Sequence, residues 1–167
     1  MKALKYGFYA ILLSVLAIAC VKPPDYADEP EINFISLNKN TIAQGNGNSP
    51  ADTLAVLFGF TDGDGDLGIN GDSLDVYLKD SRDGFVNTYK LPVIPEEGVG
   101  NGISGEITIK IPNVPFNICC TYPDNSDACL PNANFPTDTF SYSINIRDRA
   151  GHLSNTIQTA TVTILCN

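Results

Sequence analysis

Apolar and polar side chains alternate along most of the chain after residue 30, the period-two pattern of half-buried β-strands. Asp52–Phe60 places Leu54, Val56, Phe58 and Phe60 on one face. Ser73–Lys79 aligns Leu74, Val76 and Leu78, and Gly105–Ile111 aligns Ile107, Ile109 and Ile111. Phe140, Tyr142, Ile144 and Ile146 share a face in TFSYSINIR, and Val162 and Ile164 do so in Thr156–Leu165. With Glu31–Leu37 and a weaker Phe85–Leu91 the pattern predicts seven strands, and no stretch beyond the first twenty residues sustains a helical period.

Seven short strands in about 137 residues, separated by turns rich in Gly, Asn, Asp and Pro, predict an all-β domain built as an immunoglobulin-like β-sandwich over 31–167. If successive strands reverse direction, the loops Thr61–Asp72, Pro92–Ser104 and Asp148–Asn155 gather at one pole. Cys119, Cys120 and Cys166 then fall at the other. The ending IRDRAGHLSNTIQTATVTI resembles the last hairpin of bacterial immunoglobulin-like and cadherin-like domains, in which an Asp-x-Ala-Gly-Asn turn joins the final strands; His152 stands where Asn is usual.

The first thirty residues carry a different pattern. Lys2 and Lys5 precede an apolar run from Tyr6 to Ile18, too short to span a bilayer and ending in small residues, as a signal peptide does. Leu16-Ala17-Ile18-Ala19-Cys20 resembles the lipobox of bacterial lipoproteins, with Ala17 where Leu is usual. That resemblance implies removal of 1–19, acylation of Cys20 and stable membrane attachment. The other reading is an ordinary signal peptide cut after Ala19. Residues 20–30, with VKPPDYADEP after the cysteine, form an extended tether. Asp25, Asp28 and Glu29 loosely approximate the acidic cluster that sends lipoproteins of the Bacteroidota to the cell surface, so an outer-membrane lipoprotein facing outward is expected rather than one facing the periplasm. With the aspartate-rich loop described below, the whole chain resembles uncharacterised lipoproteins of that phylum.

Charge and cysteines narrow the chemistry. Loss of 1–19 removes two of the ten basic residues and none of the 19 acidic ones, taking the formal charge from −9 to −11. Phosphate binding needs clustered Lys and Arg, so a nucleic-acid partner is not expected. Cys119, Cys120, Cys129 and Cys166 are expected as two disulfides, an arrangement suited to an oxidising compartment. The neighbours Cys119 and Cys120 are poorly placed to bond each other, which leaves Cys129 to one of them and Cys166 to the other. A zinc site is the rival, without the usual CxxC spacing or a nearby His.

Asp62-Gly63-Asp64-Gly65-Asp66 is the sharpest local signal. Alternating carboxylates separated by glycine can curl toward one point and offer the hard oxygen ligands that calcium selects. The sequence departs from an EF-hand: Leu67 occupies the position of the turn glycine and Ser73 that of the bidentate Glu. Missing ligands must come from elsewhere at the same pole. Asp148 is the first candidate, and Asn70, Asp72, Glu96 and Glu97 fall at the same end. Tight Asp-Gly turns without an ion are the competing reading.

No nucleophile motif, phosphate-cradling loop or convergent acid pair stands out, and His152 is the only histidine. Asp52-Thr53-Leu54 and Asp72-Ser73-Leu74 resemble the O-glycosylation sequon of Bacteroidota. The function expected is a lipid-anchored, non-enzymatic envelope binding or accessory module, calcium-stabilised, with an envelope protein or a glycan as partner. A purely architectural domain and, more distantly, a hydrolase using the acidic loops are the alternatives. A glycan binder would need an exposed aromatic platform, with Tyr77, Tyr89 and Tyr122 as candidates.

Overall fold

A computed structural model describes residues 25–45, 52–94, 102–114 and 117–166; Cys20, the leader and the Glu96–Glu97 pair lie outside them. The described chain is all β: β1 (Glu31–Leu37), β2 (Thr41–Ala43), β3 (Thr53–Asp62), β4 (Val76–Asp80), β5 (Val86–Tyr89), β6 (Ile103–Pro112), β7 (Thr137–Phe140), β8 (Tyr142–Ile146), β9 (Ile157–Gln158) and β10 (Val162–Leu165). One layer is the antiparallel sheet β1-β3-β6. The other consists of the ladders β2-β10-β7 and β5-β4-β8-β9, joined end to end because β7 runs into β8 and β9 into β10. Within it β2 runs parallel to β10.

The seven expected strands are therefore ten segments. Expected strand six breaks at Ser141 and expected strand seven between Gln158 and Val162, and β2 is additional. The break has a local cause. The N–H of Tyr142 donates to the Thr159 hydroxyl at 3.0 Å, where a regular ladder would use a carbonyl. Ser141 turns instead to Ser81, donating to its Oγ at 3.0 Å and accepting from its N–H at 3.0 Å.

The residues that alternation placed on one face form the core. Leu54, Val56, Phe58, Val76, Leu78, Ile111, Ile144, Ile146, Val162 and Ile164 are all fully buried, and the two layers close on them as a single cluster. Leu74 is a correction. It is 41% exposed, because 73–75 lie between the turn at 71–72 and β4, which begins only at Val76.

The two poles separate as strand parity requires. At one, Cys119 is bonded to Cys129 and Cys120 to Cys166, which staples the long 113–136 connection to the end of the chain. The buried Gln44 amide joins them, donating to the Cys166 carbonyl at 2.8 Å and accepting from the Cys120 N–H at 3.4 Å. Arg82 ties the same pole together: it pairs with Asp80 at 2.7 Å and Asp138 at 2.6 Å, donates to the Cys119 carbonyl at 2.7 Å, and lies over the Phe140 ring. At the opposite pole are the start of β1, the end of β3 and the turn after β8.

Candidate metal centre

Asp62 ends β3 opposite Ile103, and the chain curls at once. Its Oδ2 accepts the N–H of Asp66, four residues on, at 2.9 Å. Two glycines permit the curl. Gly65 has φ +70°, a left-handed conformation that a side chain resists. A Cβ on Gly63 would lie 2.5 Å from the Tyr26 carbonyl oxygen, and Gly63 donates its N–H to the Ala27 carbonyl at 2.7 Å. Tyr26 and Ala27, within the described part of the expected tether, thus lie against the aspartate loop.

The turn after β8 reaches the loop from the other layer. The Asp66 carboxylate accepts the N–H of Ala150 at 2.9 Å, and the Arg149 side chain donates to the carbonyls of Asp66 at 2.6 Å and Ile94 at 2.7 Å. Asp148 caps its own turn, accepting the N–H groups of Gly151 at 2.6 Å and His152 at 2.7 Å, while its second oxygen lies 2.9 Å from His152 Nδ1. One carboxylate oxygen from each of Asp62, Asp64, Asp66 and Asp148 falls within 4.8 Å of the others. Asp62 and Asp148 are fully buried, whereas Asp64 and Asp66 retain access to solvent.

The four carboxylates perturb one another. Burial pushes the Asp62 carboxyl up to about 6, and the negative charges of Asp64, then Asp66 and Asp148, push it in the same direction. Burial, then Asp148 and Asp64, raises Asp66 as well. Asp62 Oδ1 is buried with no hydrogen-bond partner among the described residues. A buried, unpartnered carboxylate oxygen on a residue clustered with three other carboxylates is a costly arrangement that a bound cation would relieve. His152 is raised by its hydrogen bond and charge interaction with Asp148.

All four residues expected as ligands are thus brought together. The loop nevertheless turns unlike an EF-hand, since Leu67 is fully buried in the core and Ser73 is exposed, so the remaining carboxylate comes from the distant Asp148. Asn70 and Asp72 are exposed, and Asp72 lies outside the cluster. Asp75, which alternation placed on an outer face, is fully buried instead and accepts the N–H groups of Ile69 at 3.0 Å and Leu91 at 2.6 Å. It sets the loop's exit without joining the cluster. The contact of His152 with Asp148 has no signature in the sequence beyond their i, i+4 spacing across a turn. No family model, curated protein or solved structure matches this chain.

Proposed function

We propose that the chain is a lipid-anchored, non-enzymatic module of a bacterial cell envelope, attached through Cys20 and stabilised by a calcium ion at the pole nearest its tether. The observation that carries this reading is the meeting of four carboxylates, one with a buried unpartnered oxygen, where the Tyr26–Ala27 segment joins the domain. An all-oxygen, multiply anionic site suits a hard cation that takes six to eight ligands, with waters and backbone carbonyls completing the shell. Zinc has less to bind, because the four cysteines after Cys20 are paired and His152 is engaged with Asp148. The leader, the lipobox-like segment and the two disulfides all suit export.

An envelope protein is the favoured partner over a glycan. Of the three candidate platform tyrosines, Tyr122 is buried with its hydroxyl donating to the Leu130 carbonyl, Tyr77 has the Arg147 guanidinium over its ring, and Tyr89 is half-buried. Phe85 and Leu130, 62% and 55% exposed, are instead presented at the disulfide pole, away from the tether.

Titration calorimetry tests the metal half of this reading. One calcium ion is expected per chain, and Asp64→Asn, which keeps the loop's shape, is expected to weaken it by at least about tenfold, or 1.4 kcal/mol. Heat that is absent at millimolar calcium, or equal in the variant, would refute the site.

A further inference from the structure

Among the described residues β6 is the longer of the two edge strands of its layer, with ten residues paired to β3 on one side, and β1 forms the other edge. Beyond its end Asn113 donates its N–H to the Asp52 carbonyl at 2.9 Å, in the same register as the ladder. Backbone groups alternate in direction along an antiparallel strand. The odd-numbered residues from Ile103 to Ile111 therefore face β3, and Ser104, Glu106, Thr108 and Lys110 direct N–H and C=O away from the sheet. These four are exposed, and no hydrogen bond within the described residues takes up their outward groups. The edge strand β5 of the other layer has only four residues.

An unpaired row of this length is a template for another strand, and the side chains along it select the occupant. We infer that β6 pairs antiparallel with β6 of a second copy of this chain, about a two-fold axis at Thr108. In that register Thr108 faces its own symmetry mate, and each exchanges both backbone hydrogen bonds with the other. Glu106 faces Lys110 of the second copy, and Lys110 faces its Glu106, so both exposed charges find an opposite charge on the same face. On the inner face Ile107 meets Ile109. A shift of register by two residues separates the charge pairs. Lys110 makes the edge a poor template for strands that bring no acidic residue opposite it. A two-fold pairing occupies this edge on both copies, giving a closed, isologous contact. The inference stands apart from the cation site.

Cross-linking of the full-length chain in its membrane tests it. Residues facing each other in a hydrogen-bonded antiparallel pair have Cα atoms about 5.5 Å apart, so Thr108→Cys with a short thiol cross-linker is expected to give a covalent dimer. The parent chain and Ser73→Cys, exposed on a loop away from this edge, are expected to give none. Glu106→Lys in the Thr108→Cys background sets lysine against lysine twice and is expected to cut the yield by about tenfold. Adding Lys110→Glu is expected to restore it, which also excludes misfolding as the cause of the loss. A yield no higher than with Ser73→Cys, one indifferent to the Glu106 reversal, or one not recovered by the double reversal would overturn the pairing.

Discussion

Freed of metal by a chelator, the folded domain is expected to become more stable as the pH is lowered from 7.5 to 5. The cause is Asp62, whose carboxyl is raised from 3.8 to about 6 by burial and then by its acidic neighbours. A group raised on folding contributes its stability below the unfolded pKa and loses it as the pH rises through the folded one. The window thus runs from about 4 to about 6, and the full difference is worth about 3 kcal/mol, roughly half of it regained by pH 5. Asp66, raised in the same direction, adds to the slope. Asp62→Asn is expected to stabilise the metal-free domain at pH 7.5 and to flatten the profile. Calcium at about a hundred times its dissociation constant should add about 2.7 kcal/mol to the parent at pH 7.5, raising Tm by roughly 10 °C. It should leave the Asp62→Asn variant little changed. Denaturant titrations at three pH values, with chelator and with calcium, read all of this; a metal-free domain that weakens steadily from pH 7.5 to 5 would contradict it.

Removal of the Cys120–Cys166 disulfide is the largest loss expected from a change outside the metal centre. The bond closes a 46-residue separation against 10 for Cys119–Cys129. On chain entropy the first restrains the unfolded state by about 4 kcal/mol and the second by about 3. Cys120 and Cys166 are also fully buried beside the Gln44 amide, so replacement disturbs packing, whereas Cys129 is slightly more open. Cys120→Ala/Cys166→Ala is expected to lower the free energy of unfolding by about 4 kcal/mol and to exceed Cys119→Ala/Cys129→Ala. Equal losses would mean that the long connection and the chain end are held by Arg82 and Gln44 rather than by the bond.

Which features could be read from the chain follows from the range of the interactions involved. Period-two alternation reports burial directly, so Leu54 to Phe60 and Phe140 to Ile146 were legible as core faces. Strand parity is a global rule, and it brought Asp148 to the aspartate loop and Cys166 to the vicinal cysteines without any detailed geometry. What stayed hidden depends on single side chains meeting backbone at long separation. Thr159 taking the Tyr142 N–H splits two strands, yet Thr159 sits in an unremarkable run of threonines. Asp75 alternates like an outward residue, but the N–H groups of Ile69 and Leu91 draw it inward. Arg82 reads as an ordinary turn arginine until Asp80, Asp138 and the Cys119 carbonyl surround it. The Cys120–Cys166 and Cys119–Cys129 assignment was open for the same reason, since adjacent cysteines point to different partners only once the loop is folded.

Anomalous diffraction from crystals grown in calcium tests the cation site most directly. A single peak is expected among Asp62, Asp64, Asp66 and Asp148, about 2.3–2.6 Å from their carboxylate oxygens and within reach of the unpartnered Asp62 Oδ1. An ordered loop with the same four carboxylates in place and no peak between them would contradict it.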